Sequence, residues 1–205
     1  MKKPFEEHTL QYDLWFDTKG REIYLYEGWA LCKFLPKGRG IEVGVGTGRF
    51  AEIFNLKFGV DPSINSLRIS KNRVKNLVCG YVEDLPFKNE SFDFALVVVS
   101  ICFFDDVFRA FSEINRILKK GGRLVVGFVP KDTCTGEFYS YKGLKGHRFY
   151  KYARFFTEGE IEIIANSEGF RKVKTAYLFA GKGGAHIREN WGFRAKFAVM
   201  EFLKL

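Results

Sequence analysis

Beyond residue 39 the chain alternates short apolar runs with amphipathic stretches. Gly40 to Val43, Lys57 to Val60, Asn76 to Cys79, Phe92 to Val99 and Arg123 to Val129 read as strands, each short, continuous and bounded by turn formers. Between them the pattern predicts helices near 48–55, 63–73 and 105–119. The last is expected to stop on Lys119-Lys120-Gly121-Gly122, where cations suit a helix C-terminus and glycine terminates it. Strand and helix in strict alternation predict a parallel sheet covered by helices on both faces.

Past Pro130 the period is lost. Residues 131–156 are rich in Gly, Tyr, Phe and Lys without helical or strand spacing, and Thr157-Glu158-Gly159-Glu160 then opens a helix with a capping box. Arg171 to Phe179 and Phe193 to Phe202 are strand-like, and the second partly alternates, as an antiparallel strand added to a parallel sheet does. Residues 1–38 read as helical around Tyr24 to Phe34 and are expected outside the sheet. The expected organisation is one domain over 1–205: a helical cap (1–38), a core (39–130), an insert (131–156), and a helix with two final strands (157–205). A chain of 205 residues suits this, since it buries roughly 70% of its unfolded surface in one core.

Composition changes this picture little. With 46% hydrophobic and 28% charged residues the chain is globular rather than disordered. Cysteines 32, 79, 102 and 134 are widely spaced with no C-x-x-C pair, which argues against a zinc site or a disulfide framework and fits a reducing cytoplasm. The longest apolar run, Phe94 to Phe104, is too short for a membrane helix, and Met1 to Leu10 lacks the apolar stretch of a secretory leader. An unprocessed cytoplasmic protein with no membrane span and no metal is therefore expected. The net charge of +9 is spread along the chain, and only Lys131 to Arg154 concentrates it, with six basic against two acidic residues. A solvated surface accounts for that distribution; a nucleic-acid face is the rival reading.

Candidate chemistry enters at the turn after the first strand. Ile41-Glu42-Val43-Gly44-Val45-Gly46-Thr47-Gly48 leads into the helical pattern Arg49-Phe50-Ala51-Glu52-Ile53-Phe54, with glycines at 44, 46 and 48. A dinucleotide fingerprint G-x-G-x-x-G would need glycine at position 49, which is Arg. Glycine lets backbone amides and carbonyls approach a ligand closely. The offset spacing suits S-adenosylmethionine, whose methionyl end carries an ammonium and a carboxylate in place of a pyrophosphate. For the triplet alone a plain glycine-rich turn is the simpler reading, and hydride transfer with a nicotinamide is the residual alternative. Asp61 ends the second strand in Gly59-Val60-Asp61-Pro62-Ser63, seventeen residues beyond Gly44. A carboxylate there can accept both hydroxyls of a ribose, as an acidic residue about 20 positions on does in doubly wound folds. Its competing role is to cap the next helix.

With these residues in place the chain resembles the class I S-adenosylmethionine-dependent methyltransferases, in particular the ubiquinone-biosynthesis-type family with a methyltransferase type 11 domain. The shared pieces, in order, are Glu42 to Phe50, Gly59 to Ser63, Glu83-Asp84-Leu85-Pro86-Phe87, Ser91-Phe92-Asp93, and Glu113 to Gly122. The resemblance implies an α/β fold: a Rossmann-like, doubly wound seven-stranded sheet, mostly parallel with an antiparallel seventh strand. It places the cofactor across the carboxyl ends of the first two strands and makes S-adenosylhomocysteine the product. Glu42, Gly44, Val45, Gly46, Gly48, Asp61 and Pro62 are thereby expected around the cofactor. Where relatives usually carry an Asp for the adenine amino group this chain has Tyr81, so main-chain groups at Val82 are expected at the ring, lined by Tyr81, Glu83 or Leu85. Glu83 and Asp84 equally suit a solvated turn.

After the fourth strand many relatives carry a His pair; here Cys102 and Phe103 occupy that place, and no general base is visible there. Tyr12-Asp13-Leu14-Trp15-Phe16 resembles a segment that folds over the cofactor, so Tyr12 or Trp15 closes the pocket or simply packs in an aromatic helix. Gly143 to Tyr150 and Ala153 to Thr157 resemble a recurrent insert, expected as a substrate-side lid with Tyr139, Tyr141, Tyr150 and Arg154 as contacts and His147 as candidate base. Alternatively these side chains anchor a long loop. The expected function is methyl transfer to a small-molecule acceptor by in-line displacement. The rivals are an RNA-modifying enzyme and a non-catalytic S-adenosylmethionine-binding protein. Against the first, Val98-Val99-Ser100-Ile101 lacks the Asn/Asp-Pro-Pro-Tyr/Phe element of exocyclic amino methylation, and Thr133-Cys134 has no partner Pro-Cys.

Overall fold

The structure, a computed structural model, describes residues 3–181 and 183–205. Eight strands form one sheet: β1 (Gly40–Val43), β2 (Phe58–Asp61), β3 (Asn76–Cys79), β4 (Phe92–Val98), β5 (Leu118–Phe128), β6 (Phe170–Gly181), β7 (Gly184–Arg188) and β8 (Phe197–Lys204). Their order is β3-β2-β1-β4-β5-β8-β6-β7. β1 to β5 pair in parallel, whereas β8 runs antiparallel to both β5 and β6. The direction of winding reverses between β1 and β4, and in open α/β sheets the crevice above such a point takes the ligand.

Helices cover both faces. The helices are α1 (Lys3–Glu7), α2 (Thr9–Trp15), α3 (Arg21–Cys32), α4 (Arg49–Ile53), α5 (Ile64–Ser70), α6 (Val107–Ile117), α7 (Cys134–Leu144) and α8 (Glu158–Ser167). β4 shows why two layers are needed. Ala95 and Val97 point into a core with Phe111, Ile114, Ile117, Ile161 and Ile164 of α6 and α8, while Leu96 and Val98 point into a second core with Leu31, Phe50 and Leu67 of α3, α4 and α5. A strand buried on both faces reads as the continuous apolar run seen in the sequence.

Four expectations need correction. The sheet has eight strands rather than seven, because β6 folds back onto β7 as a hairpin. β7 is Gly-Ala-His-Ile-Arg with exposed and half-buried positions alternating, too short and too polar to register as an apolar run. The final strand starts at Phe197, since Ala195 closes a turn onto Gly192 just before it. Helix α6 ends at Ile117; Leu118 is fully buried and already pairs with Phe92, so Lys119 to Gly122 form an irregularity inside β5, with Gly121 at φ 71°. Within 131–156 the chain builds α7, started by Thr133, whose Oγ1 accepts the Gly136 N–H. Gly136 has no room for a side chain, a Cβ there lying 2.1 Å from the Pro130 carbonyl oxygen, so this helix carries glycine where packing rather than propensity demands it. The capping box of α8 forms as expected between Thr157 and Glu160. Among the described residues no helix is long and apolar enough to cross a membrane.

Candidate active site

The loop after β1 is fixed by backbone bonds to β2. The N–H groups of Gly44 and Val45 both donate to the Val60 carbonyl, at 2.9 and 3.0 Å. Gly44, Gly46 and Gly48 take φ of 75°, 50° and 84°, the left-handed region that glycine enters without penalty. Gly46 then donates its N–H to Asp61 Oδ2 at 2.9 Å, and Asp61 Oδ1 accepts the Ser63 N–H at 2.8 Å. Both carboxylate oxygens are thus aimed by main chain, each with a lone pair to spare. Burial raises the Asp61 pKa to about 6, against the pull of these two amides.

A cleft opens above this loop. Of the residues singled out from the sequence, Gly44, Gly46, Asp61, Pro62, Tyr81, Val82 and Glu83 line it. Glu83 is committed elsewhere, its carboxylate accepting the N–H groups of Asp105 and Asp106 at 2.9 and 3.3 Å. Val45, Gly48 and Glu42 lie behind the lining. Val45 packs on Gly59, Gly48 backs onto Ser70, and Glu42 is 2% exposed beneath the loop with Oε2 unpaired among the described residues. Burial, with Asp61 adding to it, pushes the Glu42 pKa well up.

The N-terminal helices strap the loop down through ion pairs of Asp13, a residue to which sequence reading gave no role of its own. Asp13 accepts from Arg49 Nε and Nη2 at 2.8 and 2.7 Å and from Arg73 Nη1 at 2.9 Å, and Arg73 also donates to the Thr47 carbonyl at 2.8 Å. α1 is held to the start of α5 by Glu6, which accepts the Ser63 hydroxyl at 2.7 Å. Burial acts to raise the Asp13 pKa, but the hydrogen bonds from Arg49 and Arg73 outweigh it and hold the carboxyl well below the usual range. Its stabilising contribution is therefore complete above the unfolded pKa of 3.8 and is lost as pH falls through the depressed folded value. Asp13→Ala is expected to cost about 2 kcal/mol, read by urea unfolding at pH 7, because two guanidinium groups lose a charged acceptor. No difference from the parent chain would mean that the strap is held by its aromatic contacts alone.

A second cavity, about 640 Å³, adjoins the cleft and shares Phe5, Tyr12, Val99 and Phe103 with it. Val99 sits at the junction with φ 45°, a left-handed conformation that is rare for a β-branched residue and marks strain held by its surroundings. Tyr12, Trp15, Tyr139, His147 and Tyr150 line this cavity as the sequence suggested. Tyr141 and Arg154 do not: Tyr141 is exposed beneath Lys145, and the Arg154 guanidinium stacks 4.9 Å over Phe156. Tyr150 stacks on Tyr139 at 4.5 Å and on His147 at 4.6 Å. His147 Nδ1 faces the N–H groups of Phe149 and Tyr150 at 3.4 and 3.5 Å, so in the neutral ring the proton resides on Nε2 and no lone pair is left for a substrate. Burial, then Lys142 and Arg148, lowers the His147 pKa, which keeps the ring neutral.

Glu27 of α3 also lines this cavity at 6% exposure, and no described group hydrogen-bonds its carboxyl. Burial raises its pKa to about 8. A sequence signal existed. Tyr24, Glu27, Leu31 and Phe34 recur at helical spacing, so a carboxylate stands on the apolar stripe of α3.

Comparison with known proteins agrees with this geometry. Residues 41–126 match the family model described as a methyltransferase domain. The chain is 40% identical to a crystal structure of an S-adenosylmethionine-dependent methyltransferase from Thermotoga maritima, described as a possible histamine N-methyltransferase, with a TM-score of 0.93 and 100% of each chain covered. It is 30% identical over 174 residues to the demethylmenaquinone methyltransferase of the same organism, covering 72% of this chain and 76% of that protein. An uncharacterised protein of Methanocaldococcus jannaschii is 39% identical over 170 residues, 83% of this chain and 82% of its own. The chain belongs to the S-adenosylmethionine-dependent methyltransferases, within the ubiquinone and menaquinone type of that family.

Proposed function

We propose that this enzyme transfers the methyl group of S-adenosylmethionine to a small-molecule acceptor held in the aromatic cavity. The observation that carries the reading is the wall common to the two spaces: Phe5, Tyr12, Val99 and Phe103 border both, so a molecule in the second faces the contents of the first. A space of about 640 Å³ falls in the range of small-molecule sites.

The residues of the cleft fit the methyl donor. Asp61 has an open lone pair on each oxygen for two ribose hydroxyls, and a Cβ on Gly46 would meet nothing within 4 Å, which is the cradle a close-lying ligand needs. Val82 and Tyr81 border the adenine end, and Glu42 keeps an unpaired carboxyl oxygen behind the loop. The bound donor supplies an activated methyl on a sulfonium. The chain itself aligns the acceptor with that methyl and excludes water, and such orientation is worth roughly 7 to 11 kcal/mol of barrier. Tyr12 and Trp15 of the N-terminal helices line the space, together with Tyr139 and Tyr150 of the segment after β5. Names of relatives point to different acceptor chemistries, a quinone in one and an amine in another, so the acceptor atom must be argued from the cavity itself.

Release of S-adenosylhomocysteine from a metabolite panel is the test, with turnover expected for at least one small acceptor. Turnover with tRNA or rRNA instead, accompanied by binding that falls steeply with salt, would favour the RNA-modifying reading. Tight S-adenosylmethionine binding with no turnover on either panel would favour a non-catalytic binder.

A further inference from the structure

We propose that Glu27 is the acceptor-binding carboxylate of the aromatic cavity, and that the acceptor is an organic amine bound as its ammonium between Glu27 and the surrounding rings. The inference rests on the methyl-transfer reading and names the substrate class of the same site.

Burial without a partner is the first support. Glu27 is 6% exposed, and no described group hydrogen-bonds its carboxyl. Its oxygens are not among the fully enclosed unpartnered atoms, which among the described residues are Glu42 Oε2 and Ser70 Oγ, so they stay open to the cavity space, where a ligand's donor can pair them. Access is the second. Glu27 lines the acceptor cavity and also the adjoining one bordered by Tyr26, Cys134 and Lys196, so its carboxyl can be reached by a ligand in the cavity. Its surroundings are the third. Among the described residues Glu27 is the only carboxylate lining the acceptor cavity, and Tyr12, Tyr139, Phe149 and Tyr150 present ring surfaces there, which attract cations. A ligand that satisfies such a site must bring a strong hydrogen-bond donor and tolerate aromatic faces, which is the chemistry of an ammonium; burial alone favours the protonated carboxyl, and an ammonium within hydrogen-bond reach restores the ionised form.

The cavity's own cations do not fill that role. Lys142 Nζ lies 4.6 Å over the Phe138 ring, Arg148 donates to Gln11 at the exposed rim, Lys19 is exposed, and His147 is held neutral. Lys196 and Glu22 border the adjoining cavity and do not line the acceptor cavity. The Tyr12 and Tyr139 hydroxyls both feel the Glu27 charge, so its carboxyl lies among the rings that line the cavity.

The step balances without a further reagent. The bound ammonium gives one N–H proton to the Glu27 carboxylate, which exposes the nitrogen lone pair. That pair forms the new nitrogen–carbon bond as the carbon–sulfur bond of the donor breaks, and sulfur keeps the bonding electrons. The product leaves as a methylammonium, and the Glu27 proton passes to solvent through the cavity mouth.

The test is calorimetry on protein saturated with S-adenosylhomocysteine, using a series of alkyl and arylalkyl primary amines, each paired with the alcohol of the same shape. Amines are expected to bind at least tenfold more tightly than their alcohols, with the preference abolished in Glu27→Gln and retained in part in Glu27→Asp. The affinity for S-adenosylhomocysteine should be the same in all three chains. Glu27→Gln should also melt no lower than the parent, since it removes an unpaired buried carboxyl. Equal binding of amines and alcohols, binding of no amine in the series, or an amine preference that survives Glu27→Gln would overturn the assignment. Loss of S-adenosylhomocysteine binding by the parent chain would instead strike at the methyl-transfer reading.

Discussion

Asp61→Ala is expected to weaken S-adenosylmethionine binding by about a hundredfold, because two charge-assisted hydrogen bonds of about 1.5 kcal/mol each are lost together. The fold should tolerate it. The Gly46 and Ser63 amides that Asp61 accepts border an open cleft, so water can replace the carboxylate there. Asp61→Asn should fail nearly as badly, since only one of its two side-chain atoms can accept, and in either orientation its NH2 faces an amide N–H, of Gly46 or of Ser63. A pH dependence follows with a definite sign. Burial raises the Asp61 pKa from 3.8 to about 6, so the carboxylate that ribose requires is present above pH 6 and is lost below it. Affinity should therefore be flat from neutral pH down to about 6 and then fall by about tenfold per unit, because binding takes up the deprotonated form alone. Asp61→Ala should flatten that profile. Titration calorimetry between pH 5 and 8 reads both effects, and an unchanged dissociation constant would remove Asp61 from the site.

Two glycines of the same loop are expected to fail in opposite ways. At Gly44 the backbone has φ 75°, and a Cβ would stand 2.6 Å from that of Ser100. Gly44→Ala should cost about 3 kcal/mol, combining about 1 kcal/mol for an L-residue in the left-handed region with about 2 for overpacking. For a chain of this length that lowers the melting temperature by roughly 6 to 12 °C. Adding Ser100→Gly should restore the packing part and leave the backbone part. At Gly46 the backbone is also left-handed, at φ 50°, but the Cβ direction is empty. Gly46→Ala should melt within a few degrees of the parent and yet bind S-adenosylmethionine much more weakly, because its methyl projects where the ligand lies. Equal thermal loss in both variants would mean that the loop is limited by backbone strain alone.

The contrast between those glycines shows what the sequence could and could not disclose. Spacing alone located the loop, since glycines at 44, 46 and 48 after an apolar run specify a strand-to-helix turn. Which glycine guards the fold and which guards the ligand depends on Ser100, fifty-six residues away from Gly44 in sequence. Strands β1, β4 and β5 were legible because burial on both faces demands continuous apolar runs, and the less buried β2 and edge strand β3 because turn formers bound short apolar runs there. β7 was not, because an edge hairpin strand with a half-exposed face needs no such run. Helix α7 was hidden for a related reason: several of its aromatic side chains face cavities, so no apolar stripe marks a core face, and its glycines lower its propensity. Glu27 was visible as a carboxylate on an apolar stripe, but only its place in the cavity, with no hydrogen-bond partner among the described residues, turns that into a chemical statement.

The segment carrying Phe5 and Tyr12 has a thermodynamic consequence. It walls the cofactor cleft and the acceptor cavity at once and is anchored to the glycine loop through Asp13. A ligand in either space that orders this segment lowers the ordering entropy left for the other, so the two bind with positive cooperativity even when they share no direct contact. Linkage makes that effect reciprocal: whatever factor the cofactor product adds to acceptor affinity, the acceptor must return. Breaking the Asp13 anchor should shrink that factor in both directions equally.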